Sequence, residues 1–186
     1  GCRNCYAERM AYRLASMGVG IYQNVMKGNH WNNDTAFAKT VLEKPLHWKK
    51  PRRIFVCSMG DLFHESVPDE WINRVFSRMA HPMSGMSHHT YIILTKRPER
   101  ILKGHAERFA EWKNIWLGVT AENQKAADER IPVLLQIPAA VRFVSVEPMI
   151  GPVDLRFLQP SDPPCEIDAL NGTHGVLRPH RGENNK

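Results

Sequence analysis

Four short apolar runs punctuate the chain: Arg53–Cys57, Thr90–Leu94, Asn114–Val119 and Val141–Val146. Each is rich in β-branched or aromatic residues and lacks polar alternation, the pattern of strands covered on both faces. Between them the periodicity changes. After Pro68, the residues Trp71, Ile72, Val75, Phe76, Met79 and Ala80 recur at three- and four-residue spacing and predict an amphipathic helix. Pro98 suits the first turn of a second helix, with Ile101, Leu102, His105, Ala106, Phe109 and Trp112 on its inner face. A third starts near Asn123 and runs through Ala126, Ala127 and Ile131, where Pro132 is expected to break or kink it. Strand and helix alternating at this spacing predict an α/β fold of parallel strands joined by right-handed helical crossovers.

The same periodicity predicts a helix near the N-terminus, with Ala7, Met10, Ala11, Leu14 and Met17 inward and Gly18 at its C-terminal end. The stretch from Val19 to Trp48 is less regular, and Asp34–Leu42 fits either a strand or a short helix. From Ser161 onward no period survives. Residues 1–160 therefore read as the folded domain, and residues 161–186 as a disordered or aberrant tail. Because Gly1 runs straight into Cys2, the chain is expected to be a fragment.

Charge sharpens the picture modestly. The 186 residues carry a formal net charge of +6, which favours anionic partners, nucleic acid among them, without choosing between them. The most basic stretch, Lys49-Lys50-Pro51-Arg52-Arg53, precedes a strand, where it serves either solubility or nucleic-acid contact. No apolar run reaches the length of a membrane span, and no leader pattern opens the chain. Together with four cysteines, this points to a reducing cytoplasm. The five Trp and the helix-face Met residues read as core. His88-His89 reads as a solvated pair without partners at metal-ligand spacing.

Polar residues follow each predicted strand at once: Ser58 and Asp61; Thr95, Lys96 and Arg97; Thr120, Glu122 and Asn123; Ser145 and Glu147. Parallel α/β folds bind ligands at the C-terminal ends of strands, where such loops converge. Helix capping is the competing explanation for Ser, Thr, Asp and Asn at these junctions. Lys96, Arg97 and Glu147 are poor caps. Lys96 and Arg97 are expected either to hold a carboxylate or phosphate or to form a salt bridge to Glu122 or Glu147 within the ring of loops.

Cys2 and Cys5 form a C-x-x-C directly before the first helix, whose N-terminus favours thiolates. Three readings fit: half a zinc site, a redox dithiol, or part of an iron–sulfur ligand set. Cys57 lies in an apolar run and reads as an inert buried thiol, and Cys165 has no assigned role.

Taken in order, several segments resemble one family. They are Gly1-Cys2-x-x-Cys5-Tyr6-Ala7-Glu8, Trp48-x-Lys-Pro-Arg-Arg-Ile-Phe-Val56, Ser58-Met-x-Asp61-Leu-Phe-His64 and Val67-Pro-Asp-Glu70. The series continues with Leu94-Thr-Lys-Arg-Pro-Glu-Arg100, Trp116-Leu-Gly-Val119, Glu122-Asn123, Ala127-Asp-Glu-Arg-Ile-Pro132 and Arg142-Phe-Val-Ser-x-Glu-Pro148. Over about residues 1–156 the chain resembles the phage-associated three-cysteine-motif proteins, a family of unknown function.

That family is similar to radical S-adenosylmethionine (SAM) enzymes. The resemblance implies a partial (β/α) barrel whose first strand and first cysteine lie outside this chain. It implies that Cys2 and Cys5 ligate a [4Fe–4S] cluster, whose open iron takes SAM and whose electron releases a 5′-deoxyadenosyl radical. Tyr6, Ser58, Asp61, Thr95, Lys96, Arg97, Glu122, Asn123 and Glu147 would line the cavity for SAM and an unknown substrate. The alternatives are a non-enzymatic nucleic-acid-binding protein and an inactive gene remnant; a partner protein fits either functional reading, and a membrane fits neither.

Overall fold

The computed structural model describes residues 6–79, 88–156 and 158, together with the backbone of residues 165–168 and 173–176. Its centre is a four-stranded parallel sheet formed by β3 (Arg53–Val56), β4 (Thr90–Thr95), β5 (Ile115–Thr120) and β6 (Val141–Ser145). The strands lie side by side in chain order, β3-β4-β5-β6. They match the four apolar runs of the sequence closely.

The helices fill the crossovers. α4 (Asp69–Met79) follows β3; α5 (Pro98–Gly104) and α6 (Ala106–Glu111) follow β4; α7 (Gln124–Gln136) follows β5. The helix expected over residues 98–112 is thus two helices. The chain turns out of helical geometry at His105 (φ −138°), directly after Gly104, the poorest helix former in the segment other than Pro98. The break seats the His105 imidazole against Phe63 and Phe76. At Pro132 the expectation of a break fails the other way, because α7 continues to Gln136. Ile131 and Leu134, on either side of the proline, are both buried in the core, and this packing holds the helix together.

Register divides the sheet into two unlike faces. Ile54, Tyr91 and Ile115 align in one row, and Val56, Ile93 and Leu117 in the next. These residues pack with Phe76, Ile101, Phe109, Ile131 and Leu134 of the helices into one core. The opposite face carries Phe55, Ile92, Trp116 and Val141 in one row and Leu94, Gly118 and Phe143 in the next. Its large side chains are only partly buried, and Phe55 keeps 46% of its surface exposed. A Cβ on Gly118 would lie 2.4 Å from the Phe143 ring, so the absence of a side chain there admits the ring.

The N-terminal region is a small unit of its own. α1 (Tyr6–Ser16) buries Ala7 and Ala11, but Met10 and Met17, expected inward, are exposed. α1 ends as anticipated at Gly18 (φ +82°). The Gly18 N–H donates to Ala15 O and the Val19 N–H to Leu14 O, the paired bonds of a Schellman cap. α2 (Gly20–Gln23) and an antiparallel pair, β1 (Met26–Lys27) with β2 (His30–Trp31), complete the unit. The ambiguous Asp34–Leu42 stretch contains a single helical turn, α3 (Lys39–Leu42).

After β6, the chain passes the cis Glu147–Pro148 peptide and is pinned to α7: the Gln124 side chain donates to Asp154 O and accepts from Asp154 N. Leu158 then returns to the core. Within the stretch read as a tail, β7 (Cys165–Asp168) pairs antiparallel with β8 (Thr173–Val176).

Candidate functional site

The polar residues that follow β3, β4 and β5 form one connected network, and Asp61 is its anchor. The chain leaves β3 through Cys57, a non-glycine residue at φ +55°, and returns Asp61 to the strand ends. Asp61 Oδ1 accepts from the Thr95 hydroxyl at 2.8 Å and from the Phe63 N–H at 3.0 Å. Its Oδ2 accepts from the Lys96 N–H at 3.0 Å and from Arg97 Nη1 at 3.1 Å. Four donors on one mostly buried carboxylate use most of its capacity to accept.

Arg97 also donates through Nε to Glu65 at 2.7 Å. That hydrogen bond is the main reason the Glu65 carboxyl is lowered to about 2. Lys96 extends the other way, with Nζ 3.1 Å from Glu122 Oε1, while Arg130 Nη1 lies 2.7 Å from Glu122 Oε2. Burial pushes the Glu122 carboxyl up, but hydrogen bonds from Arg130 and Lys96 outweigh it and hold the group below its ordinary value. Arg130 also donates to the carbonyl of Thr120 at the end of β5. Of the two expectations for Lys96, pairing with Glu122 is what the structure contains.

The remaining site residues divide. Asn123 caps α7, its Oδ1 accepting from the Ala126 N–H at 2.9 Å. The Tyr6 hydroxyl donates to the Ser58 carbonyl at 2.8 Å, which ties the first turn of α1 to the loop after β3. Glu147 is exposed beside the cis peptide, and no other described residue makes an ion pair or hydrogen bond with its side chain. Cys2 and Cys5 lie outside the described residues. Among the described residues, no group of three or more His, Cys, Asp or Glu is placed to hold a metal ion.

Two sequence readings are corrected. Cys57 is exposed at the turn after β3 rather than buried within it. The residue keeps exposed surface, yet enough protein surrounds the sulfur that desolvation, and then the Asp61 carboxylate, push the thiol up to about 11, which disfavours its thiolate near neutrality. His89 is buried, not solvated: its Nδ1 accepts from the Arg52 N–H and its Nε2 donates to Pro45 O.

Glu65 and Arg130 were not anticipated. Glu65 lies in a loop with no periodicity, and Arg130 reads as the polar face of α7; only contact across loops reveals their role. Arg100 was likewise missed. It donates to the carbonyls of His64 and Val67 and to Asp69, fastening the loop before α4.

Residues 1–174 match the family model described as "Protein of unknown function (DUF5131)", and the chain belongs to that family. No curated protein and no solved structure matches it. Among the described residues, no helix is long and apolar enough to cross a membrane.

Proposed function

We propose that this protein is a phage-associated, radical SAM-like iron–sulfur enzyme and that its parallel sheet is part of a (β/α) barrel. The observation that carries the reading is the bond from the Tyr6 hydroxyl to the Ser58 carbonyl. Tyr6 follows Cys5 directly in sequence, so the residue next to the cysteine motif contacts the strand-end loops. Ligands in parallel α/β folds bind at that end.

The residues fit a cluster in part. Cys2 and Cys5 precede an eleven-residue helix whose N-terminus favours thiolates, but a [4Fe–4S] cluster of this type requires a third thiolate from outside the motif. When bound, the cluster and SAM would supply the radical chemistry. The chain's own residues have distinct tasks. Asp61 and Arg97 shape the rim. The Lys96–Glu122 pair must exchange partners to receive a charged ligand, and Glu147 offers a carboxylate to an ammonium or hydroxyl group.

Anaerobic reconstitution of the protein with iron and sulfide tests this reading. The expected product is brown, loses its colour on reduction or in air, and does not form in Cys2→Ala or Cys5→Ala variants. Binding of zinc alone would overturn the reading.

Nucleic-acid binding through Lys49–Arg53 is the second reading. The Arg52 guanidinium lies 4.5 Å over the Trp48 ring and that of Arg53 5.7 Å from Trp116, so two cations of the basic stretch are held in place. Affinity for an oligonucleotide that falls steeply with salt supports it, and absence of binding at low salt removes it.

A further inference from the structure

A second cationic site lies away from the strand ends. α3 and the outer face of α4 border a cleft of about 260 Å³, lined by Phe37 and Leu42 on its apolar side and by Lys39, Arg74 and Arg78. Ser77 and a single carboxylate, Glu43, complete the lining. Arg74, Ser77 and Arg78 follow one another at three- and four-residue spacing, so α4 presents them together, opposite its buried Ile72, Val75, Phe76 and Met79.

The three cations are not equivalent. Arg74 is engaged on one side: Nη2 lies 3.2 Å from Glu70 one turn earlier in an exposed pair, and its guanidinium sits 6.0 Å from the Phe37 ring. Phe37 is itself held against Trp71, with ring centroids 5.2 Å apart. Lys39 and Arg78 have no ion-pair or hydrogen-bond partner among the described residues, yet both face the cleft. One guanidinium paired on one side and two uncommitted cations border this small volume, an arrangement suited to a compact, multiply charged anion. The cleft is smaller than the usual site for a drug-sized ligand, so a single tetrahedral group suits it better than an extended molecule. Glu43 disfavours a bare anion and favours one that also carries a hydrogen-bond donor.

From this arrangement we infer that the α3–α4 cleft binds a phosphate group, with Lys39 and Arg78 as ion-pairing residues, Arg74 as the guanidinium paired on one side and Ser77 beside it. The site is independent of the cysteine motif and of the strand-end network, so it stands or falls separately from the proposed enzymatic function.

Its test is equilibrium binding at fixed ionic strength. Two probes are used, inorganic phosphate and a short single-stranded DNA, with calorimetry and intrinsic tryptophan fluorescence as readouts. The wild-type chain is expected to bind at least one probe saturably. Lys39→Ala and Arg78→Ala should each weaken that binding about tenfold, while Lys39→Arg retains most of it and Lys103→Ala has no effect. Preference for phosphate would identify a small phosphorylated ligand, whereas preference for DNA would identify the nucleic-acid backbone. Binding of neither probe, or equal binding by the wild type and both alanine variants, overturns the inference. Because Lys39 and Arg78 are exposed, unchanged melting temperatures will separate lost binding from lost fold.

Discussion

The Lys96 ammonium lies 3.1 Å from Glu122, while the backbone N–H of the same lysine donates to Asp61. One residue at the end of β4 thus links the loop after β3 to the loop after β5. The strand ends are bound to one another before any ligand is considered, so changes there test architecture as well as chemistry.

Asp61→Ala should unfold at markedly lower denaturant. It strands the Thr95 hydroxyl and two N–H groups in a part-buried setting and leaves the Arg97 guanidinium with Glu65 alone. The expected loss is about 3 kcal/mol, with Asp61→Asn losing less because it still accepts from two donors. Urea titration followed by circular dichroism measures both.

Glu122 makes a pH-dependent contribution. Its folded-state value lies below the ordinary 4.5, so its stabilisation is present above pH 4.5 and is lost as pH falls through the lower folded value. Glu122→Gln should therefore be less stable than wild type at pH 7 by about 2 kcal/mol, with the gap closing in acid. Denaturant midpoints across the acid range show whether the curves converge.

His105 acts in a different window. Burial among aromatic rings holds its imidazole below the usual 6.5, and Arg108 pushes it the same way while Asp69 opposes. Between those values the unfolded chain binds more protons than the folded one. Stability is therefore full above about pH 6.5 and falls as pH drops through the folded value. His105→Phe, which fits the ring cluster and removes the unpartnered Nδ1, should postpone that loss to the carboxylate range. Melting temperatures between pH 8 and pH 5 provide the comparison.

Gly118→Ala should cost about 1 kcal/mol, because the added carbon would meet the Phe143 ring and force it aside. Phe143 is only partly buried, so the ring has somewhere to go. Combining Gly118→Ala with Phe143→Leu should recover most of the loss, and a double-mutant cycle quantifies the coupling.

The strands were legible because each is an uninterrupted apolar run, and α4 because its inward residues keep one period. The His105 break was not. Which of several apolar positions turns inward depends on Phe63 and Phe76, which are distant in sequence. At Pro132 backbone chemistry allows a stop or a kink, and only the burial of Ile131 and Leu134 in the core shows that the helix does not stop there. At the candidate site, the positions after each strand were legible but their pairings were not. Nothing local distinguishes a Lys96 that receives a ligand from one that pairs with Glu122. The β1–β2 hairpin was missed because its strands have two residues each, too few to show an alternation.

The strand order has a consequence for synthesis. After β3, each strand of the central sheet pairs with the one made just before it, so none of them must wait for a later partner. A chain leaving the ribosome can add β4 and then β5 to an existing edge, each folding its own helix down as it arrives. The Asp61 carboxylate precedes Thr95, Lys96 and Arg97 in the chain, so the acceptor that holds the end of β4 is already made when that strand joins the edge.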